Sequence, residues 1–318
     1  MKSGHCMLVA TTGGHLSQLH ELEKRMAGNS AENLWVTFDT PQSRSMLSGR
    51  KVEFIAPVGE RDAFGALRAA STAYTLIQKH GPSAVVSTGS AVAVPFLNVA
   101  TFCRVPAHYI ESAARVLEPS LTGKLLQLNP WINLYRQYDI SRSARWKFAG
   151  SIFDAFEVSA QASAARHSIR RIVVTLGTGP HPFARLVDNL LAIIPPGVDV
   201  LWQTGCTPVH NNNHTSVAEI PFAELQQQMA TADVIIGHAG CGTALAALNA
   251  GRLPLLSPRT SAKHELVDDH QVQIAEWLSG RGLAILREAG QITWQDIVAA
   301  SAFHVGKLRN PPLLRLAG

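Results

Sequence analysis

One pattern constrains the fold more than any other: an apolar strand runs into a glycine turn and then a helix, and the pattern occurs twice. The first copy is His5-Cys6-Met7-Leu8-Val9-Ala10, then Thr11-Thr12-Gly13-Gly14-His15, with Leu16, Leu19, Leu22 and Met26 at helical spacing. The second is Arg171-Ile172-Val173-Val174-Thr175-Leu176, then Gly177-Thr178-Gly179, with Phe183, Leu186, Val187, Leu190 and Leu191 on one helical face. Further strands are predicted at 33–38, 51–56, 83–88 and 107–111 in the first half and at 199–203, 233–237, 253–257 and 282–286 in the second. Strands that alternate with helices build parallel sheets, joined by right-handed crossovers. The expected fold class is therefore α/β, two Rossmann-like domains with parallel sheets facing a cleft. The Ala- and Ser-rich stretch at 157–169 reads as a linker between a domain at 1–156 and one at 170–318. Pro311-Pro312 is expected to end a last helix able to pack back on the first domain, and 208–214 to be a solvated polar loop.

The 318 residues suffice for two cores, and 46% hydrophobic against 16% charged residues suits buried parallel strands. No stretch approaches the roughly 20 apolar residues that span a bilayer. The longest, 91–103, is interrupted by Pro95 and Asn98, and no signal peptide is expected at the N-terminus. Cys6, Cys103, Cys206 and Cys241 form no C-x-x-C pair, so neither a zinc site nor a disulfide framework is expected, and a reducing cytosol is the simplest setting. A net charge of +5 suits an anionic lipid, a nucleotide or nucleic acid, or simply an ordinary basic enzyme.

Ligands of open α/β sheets bind beyond the carboxyl ends of the strands, where glycine turns admit a phosphate and helix N-termini offer N–H donors. Three places fit. Ile235-Ile236-Gly237-His238-Ala239-Gly240-Cys241-Gly242-Thr243 is a buried strand entering a glycine turn and a small-residue helix, suited to a diphosphate. Pro258-Arg259-Thr260-Ser261-Ala262-Lys263-His264-Glu265 through Asp268-Asp269-His270-Gln271 is dense in the donors and acceptors that a sugar requires, and also reads as a charged loop with an Asp helix cap. Thr12-Gly13-Gly14-His15 offers a histidine that either serves as general base or holds the turn. The chain lacks G-x-G-x-x-G after its first strand, a P-loop, a D-x-D pair and a G-x-S-x-G elbow, which argues against dehydrogenase, nucleotide-triphosphatase, metal-diphosphate and hydrolase chemistry. Without a metal, a leaving diphosphate falls to helix ends and to Arg259 and Lys263.

These motifs resemble a known family. Val173 to Thr178 with Pro182-Phe183 and Leu186-Val187, His238-Ala239-Gly240-Cys241-Gly242-Thr243 and Asp268-Asp269-His270-Gln271 are similar to the donor domain of GT-B glycosyltransferases that make lipid-linked sugars. That group includes the lipid-II-forming peptidoglycan enzyme and the two-subunit enzyme that adds the second N-acetylglucosamine to dolichol diphosphate. Thr12-Gly13-Gly14-His15, Ser87-Thr88-Gly89-Ser90, Ile110-Glu111-Ser112-Ala113-Ala114-Arg115-Val116, Pro119-Ser120-Leu121-Thr122-Gly123-Lys124 and Gly150-Ser151-Ile152-Phe153 resemble the membrane-associated acceptor subunit of the latter. The order looks like a fusion of the two subunits, from about residue 8 to 284, of the bacterial exopolysaccharide type.

The resemblance implies an inverting transferase that moves a sugar from a UDP-sugar to a polyprenyl-diphosphate-linked saccharide in exopolysaccharide or cell-envelope glycan synthesis. It implies donor contacts from Gly177, Thr178, His238, Gly240, Gly242, Thr243, Arg259, His270 and Gln271. It implies acceptor contacts from Gly13, Gly14, Gly89, Ser90 and Arg115, with His15 or Glu111 as the base, no metal or other cofactor, and no nucleic acid partner. Many relatives carry a ribose-binding Glu three residues beyond the Thr of the donor turn; here that position is Ala246, so the ribose must be held otherwise. A cytoplasmic protein peripheral on the inner face of the plasma membrane is expected. Leu125, Leu126, Leu128, Trp131, Ile132, Leu134 and Tyr135 with Lys124, Arg136, Arg142, Arg145 and Lys147 read either as an interfacial patch or as a packed helix and basic loop. Two other readings share the architecture, a UDP-sugar epimerase and a non-catalytic sugar-nucleotide-binding scaffold.

Overall fold

A computed structural model describes residues 4–26, 30–59, 63–140, 143–160, 168–209 and 216–316. The chain divides into two compact units, Met1–Asp154 with Pro312–Gly318, and Ala155–Pro311. The first unit runs β1 (Cys6–Val9), α1 (Gly14–Glu23), β2 (Leu34–Phe38), α2 (Pro41–Met46), β3 (Lys51–Ile55), α3 (Ala63–His80), β4 (Ala84–Ser87), α4 (Ala93–Phe102), β5 (Ala107–Ile110), α5 (Leu121–Leu126), β6 (Ile132–Arg136) and β7 (Trp146–Phe148). The second runs β8 (Phe156–Ala160), β9 (Arg171–Thr175), α6 (Ala184–Ile193), β10 (Asp199–Gln203), β11 (Ser216–Val217), α7 (Phe222–Thr231), β12 (Val234–His238), α8 (Cys241–Asn249), β13 (Leu255–Ser257), α9 (His270–Gly280), β14 (Ile285–Leu286), α10 (Trp294–Ser301) and β15 (Phe303–Lys307).

In the first unit the sheet order is β3-β2-β1-β4-β5-β6-β7, with every neighbour parallel. Its central strands β1 and β4 are wholly buried. Met7, Val9, Val36 and Val85 pack with Phe96 and Leu97 of α4 and Ala73 and Ile77 of α3. Each large apolar side chain so buried contributes about 1.5–3 kcal/mol. The chain travels outward from β1 to β3 and resumes at β4 on the other side of β1. The loops after β1 and β4 therefore open side by side, at the point where the strand order reverses.

The second unit repeats the plan, with sheet order β11-β10-β9-β12-β13-β14, all parallel, and its reversal between β9 and β12. One face packs Ile172, Val174, Val234 and Ile236 on Phe183, Leu186 and Leu190; the other packs Val173 and Ile235 on Met229, Ala246 and Ala247. Both sheets are the parallel α/β sheets that the repeated motif calls for.

Three details differ from the sequence expectation. The linker expected at 157–169 begins as strand, because β8 pairs antiparallel with β15 from Phe156↔Lys307 to Ala160↔Phe303; its positions 161–167 lie outside the described residues. The last helix, α10, is ended at Ser301 by entry into β15 rather than at Pro311-Pro312, and Ile297 and Ala300 place it in the second unit's own core. The chain's return to the first unit is made instead by extended tail. Buried Arg25 donates to the carbonyls of Ser151 and Pro312, Leu314 N donates to Arg25 O at 2.9 Å, and Arg315 N to Ala149 O at 3.0 Å. Most of the polar loop expected at 208–214, from His210 on, lies outside the described residues.

The aromatic and basic stretch near α5 also divides. Leu126, Ile132, Leu134 and Tyr135 are core, because α5 and β6 turn them inward, whereas Leu125, Leu128 and Trp131 are exposed beside Leu121. Arg136 donates to Leu117 O and Arg145 to the carbonyls of Asn129 and Ile132, so both serve the fold; Arg142 lies outside the described residues.

Candidate functional site

In the second unit, the loops after β9 and β12 bring the predicted donor residues together at the reversal of strand order. Gly177 has φ of +74°, and a Cβ there would sit 2.8 Å from Cε1 of His238, so both backbone conformation and space demand glycine. The turn is buttressed from β10: Gln203 accepts from Thr175 Oγ1 at 2.6 Å and donates through Nε2 to Gly177 O at 3.0 Å. Helix α8 starts after Gly240 with no side chain capping it, which leaves its first N–H groups for an anion. His238 Nδ1 lies 3.4 Å from both Thr175 O and Thr243 Oγ1. Burial, helped by the charges of Arg259 and His270, lowers the His238 pKa to about 3, so its ring is neutral near pH 7. Positive charge at this site therefore comes from Arg259 and the helix terminus, not from His238.

Arg259 lies at the end of β13, is only 4% exposed, and donates through Nη2 to Leu176 O at 3.0 Å. Its backbone N–H donates to the side chain of Gln271, the second residue of α9, at 3.0 Å. His270 opens the same helix, its ring nitrogen hydrogen-bonded to Asp268. Asp269 accepts from Ser261 N at 2.8 Å, holding the loop at 260–269 closed rather than capping α9 through its side chain. Thr178 is exposed beside Gly177, and Gly242 is half-buried in the first turn of α8. Lys263 is exposed and ion-paired with Glu288 at 3.7 Å.

Sequence reasoning missed the support of this loop. Arg185 of α6 binds Glu265 at 2.6 Å and also pairs with Glu288, and its guanidinium and that of Arg259 stand 5.1 and 5.0 Å from the ring centroid of Phe183. The only sequence signal is charge in each segment, with 80 and 103 residues separating the partners.

In the first unit, His15 is the second residue of α1 and Gly89 follows β4. His15 Nδ1 is 3.0 Å from Thr88 O, and Thr88 Oγ1 donates to His15 O at 3.0 Å. A carbonyl can only accept, so Nδ1 carries the proton and the neutral ring offers Nε2 as its basic atom. Burial lowers the pKa of His15; Thr88 O opposes this in part, and the charge of Arg115 adds to it. Gly89 has φ of +122°, and a Cβ there would lie 3.0 Å from the His15 ring. Gly13 and Gly14 are exposed beside it, and Ser90 holds a left-handed φ of 69°.

Glu111 sits differently. It is 1% exposed and accepts from Tyr109 Oη at 3.0 Å, Ser112 N at 3.0 Å, and Ser120 N and Oγ at 2.9 and 3.1 Å. Burial raises its pKa against the pull of these bonds. The same loop is pinned by Gln18, which accepts from Ala113 N at 2.8 Å, and by Gln137, which donates to Glu111 O at 3.0 Å. Among the described residues, no three His, Cys, Asp or Glu side chains gather as a metal site.

Residues 171–288 match the model of the glycosyltransferase family 28 C-terminal domain, a span containing every donor residue named above. The chain is a glycosyltransferase. That match decides for sugar transfer over epimerase or scaffold. Two relatives are UDP-N-acetylglucosamine--N-acetylmuramyl-(pentapeptide) pyrophosphoryl-undecaprenol N-acetylglucosamine transferases. The one from Symbiobacterium thermophilum is 29% identical over 261 residues, 74% of this chain and 67% of the relative. The one from Alcanivorax borkumensis is 25% identical over 326 residues, 92% of this chain and 87% of the relative. The crystal structure of MurG from Acinetobacter baumannii shares the fold of this glycosyltransferase, with a TM-score of 0.57, 18% identity, and coverage of 93% of this chain and 89% of that one.

Proposed function

We propose that the protein transfers a sugar from a UDP-sugar to a polyprenyl-diphosphate-linked saccharide, with inversion, in exopolysaccharide or cell-envelope glycan synthesis. The observation that carries this reading is the coincidence of the family match with an uncapped helix N-terminus and a buried arginine at one strand-order reversal. The N–H groups at 240–243 and the Thr243 hydroxyl hold the donor diphosphate and stabilise its charge as it leaves. Gly177 and Thr178 bound the pocket, Arg259 supplies positive charge, and His270 and Gln271 meet the sugar. Ala246 offers no carboxylate for the ribose, which leaves it to backbone groups.

On the acceptor side, Gly13, Gly14, Gly89, Ser90 and Arg115 meet the acceptor diphosphate, and His15 Nε2 takes the proton of the attacking hydroxyl. That oxygen bonds the anomeric carbon opposite the departing UDP, and the C–O bond to the diphosphate breaks with its electron pair. This assigns the base to His15, since the oxygens of Glu111 are occupied by four donors, and makes Glu111 the anchor of the loop at 112–120. No step requires a metal.

Titration calorimetry with UDP, GDP, dTDP and NADH, each in EDTA and then in magnesium, tests the donor side. UDP is expected to bind selectively and equally well in both, with a Kd within the common range of about 1 μM to 1 mM. Preference for another nucleotide, or for none, would overturn the UDP assignment.

The acceptor implies residence at the cytoplasmic face of the membrane. Among the described residues no helix is long and apolar enough to cross one. Support for peripheral contact comes from exposed Leu121, Leu125, Leu128 and Trp131 beside Lys124. The protein is expected to float with anionic liposomes, and a Leu128→Ser/Trp131→Ser variant to remain at the bottom with unchanged UDP affinity; equal flotation of both would remove this surface from the membrane.

A further inference from the structure

Among the described residues of the second unit, Arg259 is the one charged side chain that is buried. Among the described residues, its Nε–H has no hydrogen-bond partner and no carboxylate forms an ion pair with it. The nearby carboxylate Glu265 is engaged elsewhere, by Arg185 at 2.6 and 3.0 Å and by Thr260 N at 3.2 Å. Arg185 and Arg259 both stand against Phe183, yet only Arg185 is neutralised. Two hydroxyls of the same segment, Ser257 Oγ and Thr260 Oγ1, are also buried without a partner. A guanidinium held dry without a counter-anion is costly, and unpaired hydroxyls beside it add to the cost. The unpaired guanidinium is therefore the group that calls for an anion, with two further unpaired hydroxyls in the same segment of chain.

The anion can be the donor's diphosphate or a group on its sugar. The helix α8 terminus already offers a diphosphate its N–H donors, one strand away on β12. The Arg259 guanidinium reaches Leu176 O through Nη2, while its backbone N–H is bound by Gln271 of α9, which meets the sugar in the reading above. We infer that residues 257–260 form the receptor for a carboxylate on the transferred sugar, so that the donor is a UDP-hexuronate. This rests on the proposed UDP-sugar transfer and narrows its substrate class. A planar carboxylate matches the arginine fork, with the unpartnered Nε–H and the second N–H of Nη2, whose other N–H goes to Leu176 O, as donors. A neutral hexose leaves the guanidinium without an anion, and a site built to bind a polar group rejects the analogue that lacks it.

Calorimetry on the full chain tests this without an acceptor, with UDP, UDP-glucose, UDP-galactose, UDP-glucuronate and UDP-galacturonate as the probes. At least one uronate is expected to bind about tenfold or more tighter than its hexose. Arg259→Met, its folding checked by its thermal melt, is expected to lower uronate affinity more than UDP affinity and so to erase that preference; Arg259→Lys should restore part of it. Wild-type protein that binds UDP without preferring a uronate overturns the inference and leaves the transfer reading standing. An Arg259→Met variant that melts normally but loses UDP and UDP-uronate affinity alike also overturns it, because the arginine then serves the diphosphate. Wild-type protein that binds no UDP overturns both.

Discussion

Replacing His15 by alanine is expected to lower kcat/KM by about 10²–10⁴-fold, the range a positioned general base supplies, while UDP affinity is unchanged. The two quantities separate because the donor residues 177–271 belong to the other unit. The hydrogen bond from Nδ1 to Thr88 O fixes the tautomer, so the loss comes from chemistry at Nε2. The pH profile supplies a second reading of the same residue. On the proposed assignment the base is the neutral ring, so activity is expected to fall as pH drops through its folded pKa. Burial and the charge of Arg115 hold that pKa below the ordinary 6.5, so the wild type should stay active where an exposed histidine is half protonated. Arg115→Gln should move the acid limb upward, and the limb should vanish in what activity remains to His15→Ala. A His15→Ala enzyme with wild-type turnover would remove His15 from the reaction.

The placement of the glycine turns could be read from the sequence, because its determinants are local. A glycine turn after an apolar strand shows where a strand ends and a helix begins, and that alone locates Gly177, Gly240 and Gly89 beyond the carboxyl ends of β9, β12 and β4. What joins these turns is sheet order: β9 beside β12 and β1 beside β4 follow from reversing the direction in which strands are laid down. Side chains whose partners lie far along the chain were not legible. Nothing near Phe156 announces that it will pair with Lys307, so the stretch read as linker. Nothing in Arg185 shows that Glu265 and Glu288 will neutralise it while Arg259 is left unpaired. The hydrophobic stretch near α5 stayed open for the same reason. Its composition suits either a core or a membrane surface, and only the turn between α5 and β6 sends Leu126 inward and leaves Leu128 outside.

Glu111 is where the sequence left two roles open, and its substitution should cost stability before it costs chemistry. In Glu111→Ala, Ser112 N and Ser120 N lose their acceptor, and Tyr109 Oη and Ser120 Oγ, 3.1 Å apart, keep only each other as acceptors, in a site buried at Tyr109 and Ser112 and half-buried at Ser120. Orphaned buried donors cost about 1–3 kcal/mol each. Relief of the buried carboxylate's desolvation, seen in its raised pKa, returns part of this. A net loss of about 3–5 kcal/mol is expected, which at about 2–4 °C per kcal/mol lowers the melting temperature by about 10 °C. Glutamine should rescue only in part. The backbone N–H groups of Ser112 and Ser120 approach different oxygens of Glu111, and an amide has a single acceptor oxygen, so one N–H must face the amide nitrogen. Gly123→Ala makes an independent probe, because its new methyl group would press on Glu111 Oε2 and the Trp146 ring without altering any titratable group. If Glu111 anchors the loop, all three variants lose stability, and activity declines with it while the acid limb set by His15 persists. If Glu111 is instead the base, Glu111→Gln loses activity at full stability and Gly123→Ala, once folded, keeps it. Thermal melts with pH–rate profiles on the three proteins separate these outcomes.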